Sequence, residues 1–256
     1  MNPRLIFMLD IIQKMGDFQR KHFHTKIDFE TKKSAMDVVS FVDRECEEMF
    51  RQELLGSFPE DTIMGEESYN PETNYQNYNK LWIVDPLDGT LLFKKWIPFY
   101  APMIAYVENG DIKLSAIFFP ELNIIYFADE NGAYKNNLPI HVSEKNSLQQ
   151  STLNISFKQL LKNIGPEKLN DIVFKTGKII DASLSGHKFQ MCMEGIIEWG
   201  VSFDGGSWDT VPTGFLIQQA GGKVTNFWSD SWDIFDPKVI FSNGLIHADF
   251  QKLLES

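Results

Sequence analysis

Apolar residues recur at helical spacing near the start of the chain, where Leu5, Leu9, Ile12 and Met15 mark one face. Residues three or four apart share a helix face, so the pattern predicts an amphipathic core helix. A second helix is expected over residues 36–55: Val38, Val39, Phe41, Val42, Met49 and Phe50 supply the stripe, beside the charges Arg44, Glu47 and Glu48. The polar stretch 69–80 reads as a loop, and the short run 81–84, with Trp, Ile and Val, as a buried strand that Pro86 stops.

Beyond Pro98, three apolar runs, 103–107, 114–119 and 124–127, read as strands. Asn109-Gly110-Asp111 makes the first two a hairpin. A turn at Asn131-Gly132 leads to an element over 133–142, and the polar stretch 143–151 marks the expected boundary between an N-terminal subdomain, 1–142, and a C-terminal one, 143–256. The second half predicts a strand at 152–157, a helical region, and a helix at 186–194. A further helix starts after Asp209, with Pro212 in its first turn, Phe215, Leu216 and Ala220 as its apolar face, and Gly221-Gly222 as its stop. Strands follow at 223–227 and 239–242. Helices mixed with antiparallel strands, without a steady βαβ rhythm, predict an α+β layered sandwich.

Composition narrows the function. The 256 residues, 43% hydrophobic and 23% charged, can bury a sizeable core. A formal net charge of −11 repels nucleic acid and anionic membrane, so neither is expected as a partner. A small anionic substrate is compatible with that charge where bound cations invert it locally. Cys46 and Cys192 have no zinc-like spacing and read as reduced, buried thiols, which points to the cytoplasm. Asp10 interrupts the first apolar run and no small-residue cleavage site follows, so that run is not read as a signal peptide. No apolar run reaches the roughly 18 residues of a membrane span.

The central chemical signal is Asp85-Pro86-Leu87-Asp88-Gly89-Thr90, where a buried strand delivers two carboxylates into a tight turn. Aspartates three apart around a proline can converge on one point, and hard cations such as Mg²⁺ take oxygen ligands. Gly89 allows close backbone approach, and the amides of Gly89 and Thr90 would form a phosphate-binding terminus if they open a helix. Glu66 and Glu67 lie about twenty residues upstream; Asp209 follows Trp208 and precedes a helix, a position that suits an N-cap as well as a ligand.

Taken together, Gly65-Glu66-Glu67-Ser68, the segment 82–90 and the segment 208–222, with Lys32, Asp37-Val38-Val39-Ser40 and Asp43 upstream, resemble the signatures of the inositol monophosphatase family. The resemblance implies a layered αβαβα sandwich of the inositol monophosphatase and fructose-bisphosphatase type. It also implies a lithium-sensitive phosphatase that uses two or three Mg²⁺ ions to hydrolyse a small phosphorylated metabolite, working as a homodimer. Position by position it implies metal ligation by Glu66, Asp85, the carbonyl of Leu87, Asp88 and Asp209, with Glu67 behind them or partly shared. Asp43 and Thr90, with Glu66, would activate the attacking water, and Lys32 would lie beside the phosphate.

Two segments depart from the family pattern. Leu91-Leu92-Phe93 stands where many members carry Asn before Phe, and the segment 199–206 has altered spacing, with Asp204 as a candidate ligand for a substrate hydroxyl. His187, in Ser185-Gly186-His187-Lys188-Phe189, is a substrate-adjacent candidate, and that segment somewhat resembles one in phosphatases of 3′-phosphoadenosine 5′-phosphate. That substrate and histidinol phosphate remain alternatives. A haloacid-dehalogenase-type phosphatase separates its aspartates by one residue rather than two, and a non-catalytic regulatory module is the reading from a different class.

Overall fold

The computed structural model describes residues 2–34, 37–181 and 185–255. The chain divides into two compact units, Met1–Glu130 with Lys135–Asn137, and Asn131–Tyr134 with Leu138–Ser256.

The first unit opens with helix α1 (Pro3–His22), capped by the Asn2 side chain, which accepts from the Arg4 amide. Its buried face adds Met8 and Ile11 to Leu5, Ile12 and Met15, while Leu9 is only half-buried. Strands β1 (Phe29–Ser34) and β2 (Asp37–Ser40) pair antiparallel, and helix α2 (Phe41–Ser57) follows at once. The expected helix over 36–55 therefore starts later, because β-branched Val38 and Val39 suit a strand and Ser40 caps the helix. Its hydroxyl accepts from the Val42 amide at 3.1 Å while Asp43 reaches back to the Ser40 N–H at 2.8 Å, a reciprocal cap.

Next come β3 (Thr62–Gly65), β4 (Lys80–Asp88), the short helix α3 (Thr90–Lys94), β5 (Ala101–Glu108), β6 (Asp111–Phe119) and β7 (Ile124–Asp129). These strands form a sheet in the order β3-β4-β5-β6-β7, with β3 and β4 parallel and the rest antiparallel. Asn109 and Gly110 turn the β5–β6 hairpin at φ of 54° and 86°, the left-handed pair that a two-residue turn requires. Pro86 does not stop β4. The strand continues to Asp88, opposite Ala101, through a register shift after Asp85, and the proline sits in that bulge, where it need not donate to the ladder.

Helices α1 and α2 cover this sheet. Leu5, Met8 and Ile12 meet Val42, Phe50, Trp82, Ile104 and Phe118 in one core. Gly16 lets α1 lie close to β6, since a Cβ there would stand 2.2 Å from the Phe118 ring. The buried Trp82 indole N–H donates to Asp61 at 3.0 Å, and Arg4 pairs with the same carboxylate.

The chain changes unit across β8 (Gly132–Lys135) and β9 (Leu138–Pro139). The second unit continues with β10 (Thr152–Asn154), α4 (Phe157–Lys175), β11 (Lys178–Ile180), α5 (Ser185–Met193), β12 (Trp199–Ser202), α6 (Ser207–Gln219), β13 (Lys223–Asn226), β14 (Val239–Ser242) and α7 (His247–Glu255). The expected strand at 152–157 is shorter than predicted, since α4 begins at Phe157; Gly165, at φ 82°, breaks that helix just before Pro166.

The second sheet has the order β11-β10-β12-β14-β13. Leu153, Trp199 and Ile240 join residues of α4 and α7 in one core, whereas Phe241 stacks on Phe189 of α5. Successive residues of β14 thus serve opposite faces of the sheet. Helix α6 is buried almost all round. It begins two residues before Asp209, with Gly206 as N-cap, so Asp209 is the third helical residue rather than the cap.

Candidate active site

In the first unit the chemistry gathers where β1, α2, β3, β4 and α3 end or begin. Glu66 leaves β3 with its amide bonded to the Val84 carbonyl at 3.0 Å, which ties the Glu66-Glu67 turn to β4. Lys32 reaches from β1 and donates to Glu66 at 2.8 Å and to Glu67 at 2.6 Å. Burial alone lowers an ammonium pKa, but the two carboxylates outweigh it and hold Lys32 protonated. Burial, then the charge of Glu66, pushes Glu67 up to about 7, and burial raises Glu66 as well. Negative charge is therefore crowded here, with the Lys32 ammonium in direct contact with both carboxylates.

Asp85 and Asp88 are buried at the end of β4 and bring carboxylate oxygens within 4.8 Å of each other. The bulge makes this possible: the Leu87 amide donates to Asp85 Oδ1 at 2.9 Å, and the Pro86 carbonyl accepts from Gln19 at 2.6 Å. Gly89 then turns the chain at φ 82°, where a Cβ would stand 2.8 Å from the Phe99 carbonyl oxygen, so only glycine fits. Helix α3 starts at Thr90.

Thr90 is bonded to Asp43. Its hydroxyl lies 2.9 Å from Asp43 Oδ1 and 3.0 Å from the Leu87 carbonyl, while the Ser40 hydroxyl donates to Asp43 Oδ2 at 2.6 Å. Burial raises the Asp43 pKa against these hydrogen bonds, which lower it.

The donor set of this unit is Glu66, Asp85 and Asp88 with the nearby Leu87 carbonyl: oxygen only, mostly anionic and partly buried. Such donors fit a hard divalent cation and disfavour metals that prefer sulfur or imidazole. The crowding of charge that Lys32 relieves at one edge is the physical evidence for that fit.

In the second unit, Asp209 accepts from the Gly206 amide at 2.6 Å. Gly205 is required beside it, since a Cβ there would stand 2.3 Å from its carboxylate. Asp209 and the exposed Asp204 both line a cavity of about 160 Å³ within this unit, with Asn154, Gln159, Lys188 and Ser202. Gln159 donates to Asp204, and Lys188 donates to the Ser202 hydroxyl at 3.1 Å. His187 is half-buried on α5, and burial lowers its pKa.

Sequence reasoning missed two residues in these surroundings. Glu47 reads as part of a solvated face but is 4% exposed, and its carboxylate accepts from the Glu67 amide at 2.8 Å. Its spacing of four from Asp43 places it on the same helix face and was the available signal. Lys188 stands one residue after His187, a place in the sequence that gives no sign that it lines a cavity.

Residues 1–256 match the inositol monophosphatase family. A Thermotoga maritima protein named fructose-1,6-bisphosphatase/inositol-1-monophosphatase is 30% identical over 256 residues, covering 98% of this chain and 95% of its own. A histidinol-phosphatase of Chlorobaculum parvum is 33% identical over 163 residues, 63% of this chain and 61% of its own. The solved structure of the Thermotoga maritima IMPase superposes with a TM-score of 0.87 at 30% identity, covering 99% of this chain and 97% of that one. Matched along its whole length and sharing this fold, the chain belongs to the inositol monophosphatase family of phosphatases.

Proposed function

We propose that the chain hydrolyses the phosphate monoester of a small soluble metabolite with two or three Mg²⁺ ions, held by Glu66, Asp85, the Leu87 carbonyl and Asp88 of the first unit and by Asp209 of the second. Family membership supports including Asp209, and the all-oxygen donor set supports the choice of cation. When bound, Mg²⁺ neutralises the ester dianion, lowers the pKa of a water and supports the leaving oxygen.

The residues of the chain do the rest. With its proton committed to Asp43, the Thr90 oxygen is left to accept a hydrogen bond from the attacking water. The water proton passes to Thr90 as the Thr90 proton passes to Asp43, and Glu66 helps to orient the water. Lys32 stands beside the phosphate, Glu67 supports Glu66, and the amides of Gly89 and Thr90 face the phosphate oxygens. The hydrogen bond between Thr90 and Asp43, one turn beyond the paired aspartates, is the single observation that carries this reading.

The substrate's alcohol part would enter the cavity beside Asp209, with Asp204 toward a hydroxyl and His187 nearby. Its lining by Lys188 favours, as a second reading, an ester with another anionic group, such as 3′-phosphoadenosine 5′-phosphate. The relatives' names add histidinol phosphate and fructose 1,6-bisphosphate to inositol 1-phosphate as compounds to test. Lithium inhibition and a homodimer are proposed from the family pattern. A cytoplasmic location is supported by the buried, free Cys46 and Cys192; among the described residues no helix is long and apolar enough to cross a membrane.

Phosphate release from this panel of esters in Mg²⁺ tests the proposal: one or more should be turned over well above the others. Release from none of them, with folded protein and ample Mg²⁺, would contradict it.

A further inference from the structure

Below the Glu66-Glu67 turn lies a carboxylate that the reaction does not use. Glu47, on the inward face of α2, is 4% exposed, and its Oε2 accepts from the Glu67 amide at 2.8 Å. Its Oε1 faces Arg51 at 3.3 Å, and Arg51 also donates to the Ser68 hydroxyl at 2.8 Å. A Cβ on Gly65 would stand 2.3 Å from the Glu47 carboxyl carbon, so the backbone is pressed against this group. Both ends of Gly65-Glu66-Glu67-Ser68 are thus fixed from α2, while the Glu66 amide is fixed from β4.

A buried carboxylate beside Glu66 and Glu67 is electrostatically unfavourable, because like charges in a partly desolvated site repel. An apolar side chain of similar size would fill the space without that repulsion. What the carboxylate adds is a charge-assisted bond to one backbone N–H, stronger than a neutral acceptor would give, together with an ion pair to the arginine that holds Ser68. The turn it fixes determines where the Glu66 carboxylate points.

We propose that Glu47 is a positioning residue: by holding the Glu67 amide it aims Glu66 and so sets the affinity of the site for divalent cation, touching neither cation nor ester. The inference rests on the cation-dependent reading above. Groups that orient metal ligands typically change metal affinity by about 10- to 100-fold when removed.

The test is Mg²⁺ binding to the full chain by isothermal titration calorimetry, paired with the Mg²⁺ dependence of phosphate release. Glu47→Ala should weaken Mg²⁺ binding by at least about 10-fold and raise the Mg²⁺ needed for half-maximal rate in parallel, with kcat largely recovered at saturation. Glu47→Gln keeps a neutral acceptor for the Glu67 amide but loses the charge that strengthens that bond and pairs with Arg51, so its Mg²⁺ affinity should fall between those of the wild type and Glu47→Ala. If Glu47→Ala does not fold, Arg51→Met, which releases Glu47 and Ser68 from the partly exposed side, should weaken binding in the same direction by a smaller factor. Wild-type protein that binds no Mg²⁺ overturns the functional reading and this inference together. Wild-type protein that binds Mg²⁺, with a folded Glu47→Ala variant, or failing that Arg51→Met, that binds it equally well, overturns this inference alone.

Discussion

The hydroxyl of Thr90 at the start of α3 lies 2.9 Å from Oδ1 of Asp43 at the start of α2, so residues 47 positions apart meet through one proton. Asp43 is held for this contact from its other side, where Oδ2 accepts both the amide and the hydroxyl of Ser40. The cap that starts α2 thereby also fixes the carboxylate that faces Thr90.

Thr90→Ala should lower kcat by about 100-fold or more, the usual range for a lost proton-transfer partner, and change KM far less. The amide of residue 90 survives the substitution, so ground-state contacts with phosphate are kept. Asp43→Asn combined with Thr90→Ala should cost little more than either change alone. Multiplying losses in steady-state kinetics would show that the two residues act separately.

Asp88→Asn should abolish most turnover and leave the fold intact, because it removes the charge of a proposed cation ligand without changing its shape. Asp85 and Asp88 are both buried with oxygens within 4.8 Å, so neutralising one relieves repulsion in the cation-free protein. Thermal unfolding without metal should therefore show an equal or higher Tm for the variant. A wild-type rate at saturating Mg²⁺ would remove Asp88 from the site.

Much of this arrangement was legible in the sequence. The apolar run ending at Asp85 announced a strand that delivers two carboxylates into a turn, and Asn109-Gly110 announced the hairpin. Three features were not legible, each for a nonlocal reason. The stripe through Val38 and Val39 continues across Ser40, so helical spacing alone extended α2 into what pairs with β1. Pro86 reads locally as a strand stop, yet β5 offers a partner on either side of the bulge it occupies. Glu47 carries the charge of a surface residue, and the Glu67 amide, twenty positions away, joins Arg51 in making its burial tolerable.

His247 predicts a pH dependence of stability. It is buried between the Thr225 hydroxyl, 3.0 Å from Nε2, and the Ser242 hydroxyl, 2.8 Å from Nδ1. Burial first, then Lys223, lowers its pKa to about 4, against an opposing effect of Asp230. The unfolded chain takes up this proton near pH 6.5 and the folded chain only near 4, so stability falls as pH drops through that window and the loss is complete below it. The full effect is on the order of 3 kcal/mol. Urea unfolding between pH 7 and pH 4 should show a clearly shallower loss for His247→Gln; an unchanged slope would clear His247 of the effect.

Gly16→Ala sets two effects against each other. Alanine favours an isolated helix by about 1 kcal/mol, but its Cβ would stand 2.2 Å from the buried Phe118 ring. Overpacking in a filled core costs about 1–3 kcal/mol, so the clash should win and Tm should fall. A raised Tm would mean that α1 can move away from β6 at little cost.

On the proposed function, phosphate ester hydrolysis by this chain depends on divalent cation held by its carboxylates. The direct measurement is inorganic phosphate release from the best ester of the panel as Mg²⁺ is varied, then in excess EDTA, then with Mg²⁺ restored. The rate should rise to a plateau with Mg²⁺, fall to background in chelator and return on restoration. Full turnover in excess EDTA would contradict the account.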